Sequence, residues 1–183
     1  MASPTRLHEA LTAAAALGHE RPFLLTPKTT HSYGEAEELA NRIARALRRQ
    51  GVERGDRVAL LWRNSLEYAS GFYGILRAGA IAVPINHAID AEGFQHLLRD
   101  SGAVGVLAEG HFAESLRGLL ASAPPPPLRF LWTDREEAWS SEGVRGVTDL
   151  NAALATESTG DLDGGASNDD VGSTGPGRCS IHL

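Results

Sequence analysis

Chemistry in this chain would have to come from seven histidines, one cysteine, one lysine and its carboxylates. The histidines are His8, His19, His31, His87, His96, His111 and His182, and their spacings match no usual metal-ligand pattern. Cys179 and His182 form one isolated pair, short of the full ligand set of a structural zinc, so no metal site is expected. Asp169 and Asp170 are adjacent carboxylates in a polar stretch and read as solubilising groups rather than magnesium ligands. Lys28 is the sole lysine; every other basic residue apart from histidine is arginine. A Rossmann-type dinucleotide site would need a G-x-G-x-x-G turn between strand and helix, with an acidic residue about twenty positions on. No segment supplies that context, so none is expected.

The bulk composition narrows the class. In 183 residues, 42% are apolar and 22% charged, the balance of an ordinary globular chain with room for one domain. A net charge of -6 argues against a nucleic-acid partner, which would call for a basic stripe. A single cysteine excludes an internal disulfide framework and fits a reducing compartment. The small apolar stretch from Ala10 to Leu17 lacks a basic lead-in and is interrupted on its approach by His8 and Glu9, so it is not read as a signal peptide. Nothing reaches the length of a membrane span, and a cytoplasmic location is expected.

The clearest element runs from Tyr33 to Gln50. Ala36, Leu39, Ala40, Ile43, Ala44 and Leu47 recur at helical spacing, with Glu35, Glu38, Arg42, Arg45, Arg48 and Arg49 as the solvated face. Ser32 with Glu35 reads as a capping box, Gly51 as the left-handed stop, and Glu38 with Arg42 as a helical ion pair. Arg57 to Trp62 is a near-continuous apolar run, the pattern of a parallel strand covered on both faces. Asn64 and Glu67 suggest the cap of a helix through Leu66, Ala69, Phe72, Tyr73 and Leu76, ended by Gly79. Ala80 to Ile85 is a second strand, with Pro84 confined to an edge or to the strand's end. Asp90 caps a third helix through Phe94, Leu97 and Leu98, stopped at Gly102, and Val104 to Leu107 is a third strand. Phe112, Leu116, Leu119 and Leu120 suggest a fourth helix, Pro124 to Pro127 an extended connection, and Leu128 to Trp132 a fourth strand. Phe23 to Thr26 and Thr30 to Tyr33 suggest a small hairpin. Trp62, Phe72, Tyr73, Phe94 and Trp132 read as core, and Tyr33 and Asn86 as turn or packing residues. This alternation predicts an α/β fold, a mostly parallel sheet flanked by helices. Residues 1–155 form the expected α/β unit; 156–183, rich in Gly, Ser, Thr, Asp and Asn, form an expected flexible or aberrant tail.

Three segments carry a resemblance. His31-Ser32-Tyr33-Gly34-Glu35 leads into the first helix, and Gly51-Val52-Glu53-Arg54-Gly55-Asp56-Arg57-Val58 into the first buried strand. Leu76-Arg77-Ala78-Gly79-Ala80-Ile81-Ala82-Val83-Pro84-Ile85-Asn86 follows, and Asp100-Ser101-Gly102-Ala103 precedes the third strand. In order and spacing these resemble the opening of the adenylate-forming ligase superfamily, which includes acyl-CoA synthetases, luciferases and peptide-synthetase adenylation domains. The Val-Pro-Ile-Asn wording leans toward acyl- or aryl-CoA ligases, and the likeness covers Leu7 to Trp132.

The resemblance implies an incomplete N-terminal subdomain of that fold. In the intact family a carboxylate attacks ATP to give an acyl-adenylate and pyrophosphate, and a thiol, usually coenzyme A, then takes the acyl group. Phosphate charge in the first step needs backbone N–H donors, cationic side chains and Mg2+. The family's phosphate loop has a degenerate trace here: Asp169-Asp170-Val171 resembles its lead-in, and Gly172, Ser173, Thr174 and Gly175, with Pro176-Gly177-Arg178, resemble the loop without its lysine. No catalytic residue is expected, since Lys28 lies in the hairpin and suits neither of the family's lysine roles. The reading is therefore an N-terminal fragment of an AMP-dependent acyl-CoA synthetase, inactive alone, its final residues a truncation or frameshift. ATP, Mg2+, CoA and a small carboxylic acid belong to the intact family, with no cofactor expected on the fragment. Two alternatives stay open: half of a split ligase whose fold a protein partner completes, or a non-catalytic binding or regulatory module.

Overall fold

A computed structural model describes residues 6–113, 128–136 and 147–157. Helix α1 (Leu7–Leu17) precedes a two-stranded antiparallel ribbon of β1 (Pro22–Leu25) and β2 (Thr30–Ser32). Then come α2 (Tyr33–Arg49), β3 (Arg57–Leu61), α3 (Leu66–Arg77), β4 (Ile81–Pro84), α4 (Ala91–Ser101) and β5 (Gly105–Ala108). A 3-10 turn (Gly110–Phe112), β6 (Phe130–Thr133), β7 (Val147–Asp149) and the short α5 (Leu150–Leu154) complete the described elements.

Among the described residues five strands form one parallel sheet in the order β4-β3-β5-β6-β7. Side chains alternate across a strand, so each strand feeds two cores. Val58, Leu60, Trp62, Leu107, Phe130 and Trp132 face α2, α3 and α5. Ala59, Leu61, Val106, Ala108 and Leu131 face Phe94 and Leu98 of α4, with Phe112. A strand buried on both sides has no solvent face to make polar, which is why Arg57 to Leu61 reads as an unbroken apolar run.

The local signals act as expected at most ends. Ser32 Oγ accepts from Glu35 N at 3.1 Å while Glu35 Oε2 accepts from Ser32 N at 2.7 Å, closing the capping box of α2. Asp90 Oδ1 accepts from Gly93 N at 2.8 Å, and Gly102 ends α4 at φ 61°. The hairpin forms, and Pro84 is the last residue of β4, the outermost strand among the described residues, where its missing N–H breaks no inner ladder. Trp62, Phe94 and Trp132 are buried; Phe72 packs partly buried against the first of these cores, and Tyr73 against a separate cluster of Leu11, Ala36 and Ala40.

Other expectations are corrected. The cap of α3 is Ser65, whose Oγ accepts from Tyr68 N at 3.2 Å; Asn64 lies one residue too early for that reach. Strand β6 begins at Phe130 rather than Leu128. The Ala10 to Leu17 stretch belongs to α1, where Leu11 and Ala15 are buried. The units β7 and α5 were not anticipated: Val147–Asp149 is too short for visible alternation, and α5 has only five residues. The expected fourth helix is not among these corrections: Phe112 ends a 3-10 turn and Ala113 after it is helical, while Leu116, Leu119, Leu120 and Pro124 to Pro127 lie outside the described residues. Of the 156–183 tail, only Thr156 and Glu157 are described.

The arginines of α2 are not simply its solvated face. Arg42 Nη2 donates to Leu154 O at 3.0 Å, Arg48 Nη2 to Arg77 O at 2.6 Å and Arg49 Nη2 to Ala153 O at 2.8 Å. Each reaches the carbonyl end of another helix, where cations are favoured by the unsatisfied carbonyls. The expected Glu38–Arg42 pair is replaced: Glu38 faces His19 at 3.7 Å. Packing between α2 and α3 is tight, and a Cβ on Gly74 would come within 2.7 Å of Ile43 Cγ2.

Candidate functional site

Strand order places the candidate site. With β4 on one side of β3 and β5 to β7 on the other, the connections reverse between β3 and β5, and ligands of open α/β sheets bind outside the carboxyl ends at such a switch point. A cleft of about 380 Å³ opens there, lined by Trp62, Arg63, Asn64, Ser65, Glu67, Glu109 and Asp134. The first five follow β3, Glu109 follows β5 and Asp134 follows β6, so the sheet itself gathers residues far apart in sequence.

Arg63 and Glu109 span the switch point. The Glu109 carboxylate accepts from Arg63 N at 3.1 Å and from Arg63 Nε at 2.9 and 3.0 Å, and pairs with Arg63 Nη2. Burial acts on the Glu109 carboxyl most strongly and by itself raises its pKa. The hydrogen bonds from the Arg63 side chain and backbone, with its charge, outweigh burial and hold the group below the ordinary carboxylate value. The same bond to Glu109 raises the pKa of Arg63. Asp134 Oδ1 accepts from Gly110 N at 2.6 Å, tying the end of β6 to the turn after β5.

This donor set does not fit a nucleotide triphosphate. Three carboxylates, Glu67, Glu109 and Asp134, line the cleft against one guanidinium already committed to Glu109. A polyphosphate needs the opposite sign of charge. Lys28, the one lysine, is exposed on the ribbon turn, where its backbone N–H donates to Thr26 Oγ1 at 3.3 Å. Gly172, Ser173, Thr174 and Gly175, with Asp169, Asp170 and Cys179, lie outside the described residues.

The family-like segments do structural work here. Tyr33 makes an edge contact with Phe23 at 5.1 Å between ring centroids, and Asn86 Oδ1 accepts from Ala88 N at 2.9 Å, the packing and turn roles expected of them. Arg77 is buried and donates to Asn41 Oδ1 at 2.7 Å and Thr12 Oγ1 at 2.9 Å, and pairs with the Glu37 carboxylate. Together these join α1, α2 and α3. His8 beside this cluster has a lowered pKa, first because burial disfavours its charged form and then because Arg77 repels it. Among the described residues no group of three or more His, Cys, Asp or Glu could hold a metal ion. None of the described helices is long and apolar enough to cross a membrane.

Arg63, Glu109, Glu37 and Asn41 carry no motif that marks them in the sequence, and Arg77 stands out there only as part of the Leu76 to Asn86 segment. A signal for two of them was present: Glu37 and Asn41 are four residues apart, each directly after a buried alanine, Ala36 and Ala40, on the face turned inward. Nothing local marks Glu109, whose partner lies 46 residues away.

Comparison with known proteins agrees with this architecture. Residues 11–162 match the family of AMP-binding enzymes. A long-chain-fatty-acid–CoA ligase, FadD13, from Mycobacterium tuberculosis is 41% identical over 95 residues, which is 52% of this chain and 19% of the relative. A 3-hydroxybenzoate–CoA ligase from Aromatoleum sp. is 29% identical over 108 residues, 59% of this chain and 21% of the relative. The crystal structure of the N-terminal domain of FACL13 from Mycobacterium tuberculosis superimposes with a TM-score of 0.75 at 27% identity, over 91% of this chain and 40% of that one. The chain thus spans about a fifth of the length of these curated relatives. Its parallel sheet flanked by helices is the N-terminal α/β architecture of adenylate-forming ligases, and the chain belongs to the AMP-binding enzyme family.

Proposed function

We propose that these 183 residues are the amino-terminal scaffold of an acyl-CoA-synthetase-type ligase and that they do not adenylate a carboxylate by themselves. The reading is carried by one observation: a family match from 11 to 162 falls on a chain whose single lysine sits on an exposed ribbon, apart from the crevice. Transfer of an adenylyl group needs cations around the triphosphate, and the crevice supplies carboxylates instead. ATP, Mg2+ and CoA are assigned to the full ligase and not to the described residues, and no step is derived through them. We assign the α/β unit to 1–155, and give the segment holding Gly172, Ser173, Thr174 and Gly175 no part in catalysis in this chain.

A second reading, in which another polypeptide completes the fold, draws support from the sheet edges. Among the described residues β4 pairs only with β3, and Ile81 on it is 51% exposed. An ATP–pyrophosphate exchange assay on the 183-residue chain, with Mg2+ and a panel of aliphatic and aromatic acids, tests the first reading. The expected rate is that of the protein-free blank. Acid-dependent exchange above it would refute the reading.

A further inference from the structure

We propose that Arg42 and Arg49 form a latch that holds the β7–α5 unit against α2, and that this unit opens as one piece when the latch is released. The inference does not rest on the ligase reading.

Among the described residues the unit is held by one strand pairing, two apolar anchors and these arginines. Strand β7 pairs only with β6 among the described residues, through Leu131↔Val147, Trp132↔Thr148 and Thr133↔Asp149. Helix α5 has five residues, well below the length at which a helix persists alone. Its apolar anchors are Leu150 and Leu154, buried in the same core as Ile43 and Leu47 of α2.

The polar contacts are placed at the one point where α5 most needs them. Arg42 and Arg49 are seven residues apart, two turns of helix, so both project from the same stripe of α2. Their Nη2 atoms donate to Leu154 O at 3.0 Å and Ala153 O at 2.8 Å, the carbonyl end of α5, where positive charge meets the negative end of the helix dipole. Arg49 continues to Thr156 Oγ1 and to the Glu157 carboxylate. These contacts bridge more than a hundred residues of sequence, separations of 112 and 104 for the two carbonyl bonds.

The latch is also incompletely satisfied. Arg42 Nε is buried and has no hydrogen-bond partner among the described residues. Opening returns that donor to water, which lowers the cost of release relative to a fully bonded clasp. A unit held by three strand pairs, two buried leucines and the two arginines, one of them under-satisfied, belongs to the low-stability end of a fold, where local opening occurs without global unfolding.

Hydrogen–deuterium exchange followed by mass spectrometry on the 183-residue chain tests this. In Arg42→Met/Arg49→Met, the segment 147–157 is expected to exchange about tenfold faster, since two charge-assisted bonds are lost, with β3 and α3 keeping their rates. Unchanged exchange in 147–157, or equal acceleration in every segment, overturns the latch. Should the double variant fail to fold, Arg49→Lys serves: it keeps the charge without the planar fork and is expected to accelerate 147–157 alone by about threefold. Wild-type rates in that variant overturn the proposal. Arg99→Gln, on the last turn of α4, removes a charge elsewhere and is expected to leave 147–157 unaltered; acceleration there would reduce the effect to net charge and overturn it as well.

Discussion

Arg77 reaches His8, Thr12, Glu37 and Asn41 from a position only 6% exposed. Arginine rather than lysine fits because a planar fork can serve several acceptors in fixed directions. Removing it strands the Glu37 carboxylate, itself 8% exposed, inside a three-helix contact. Arg77→Met is therefore expected to cost about 3–5 kcal/mol in urea unfolding, and Arg77→Met/Glu37→Leu to recover most of that loss, because no uncompensated charge remains. A double variant as unstable as the single one would show that packing around Arg77, not charge pairing, sets the cost.

Glu109 gives a residue-scale pH dependence with a definite sign. Its folded pKa lies below its ordinary value of 4.5, so the unfolded chain binds more protons in the window between the two. Stability from this group is present above the unfolded value and is lost as pH falls through the folded one. His8, also lowered, works in the same direction at a higher window: below its ordinary value of 6.5 the unfolded chain takes the proton more readily, and stability declines on acidification. Thermal melts from pH 7 to pH 3 are expected to show both losses. Glu109→Gln should flatten the acid limb below about pH 4.5, while leaving the decline near pH 6 in place. An acid limb identical to wild type would mean that Arg63 does not hold the carboxylate in solution.

At the scale of elements, the cap of α3 separates two neighbouring candidates. Ser65 Oγ bonds Tyr68 N, three residues on, the separation at which an N-cap side chain meets an orphan N–H. Ser65→Ala is expected to lower stability by about 1 kcal/mol and Asn64→Ala by only a few tenths, measured by chemical denaturation. The reverse order would reinstate Asn64. At the same scale arginines close helix ends: Arg57 caps α4 through Ser101 O at 2.8 Å and Gly102 O at 3.2 Å, as Arg48 caps α3 and Arg42 with Arg49 caps α5. Carbonyls at a helix end lie side by side, and the forked guanidinium of Arg57 takes two of them.

At the scale of the molecule, the exposed edge has consequences. Among the described residues β4 is the outermost strand and presents Ile81 at 51% exposure, which invites strand addition. The purified chain is expected to self-associate in light scattering, and Ile81→Lys to reduce the apparent size toward a monomer. A wild-type chain that is monodisperse and monomeric would sink this expectation.

Much of the architecture follows from the sequence alone because its signals act over a few residues. Helical spacing and the Ser32–Glu35 box specify α2, Asp90 and Gly102 bound α4, and the apolar run at Arg57 to Leu61 announces a strand buried on both faces. The resemblance in Leu76 to Asn86 likewise led to the family. Tertiary structure decided what depends on partners distant in sequence. Glu109 finds Arg63 across 46 residues, Arg77 finds Glu37 across 40, and Arg42 finds Leu154 across 112. A charged side chain looks the same in sequence whether it faces water or closes a helix end. For Arg63 and Glu109 the strand order decides, by bringing the carboxyl ends of β3 and β5 together; for Arg77 and Arg42 the packing of helices against one another decides.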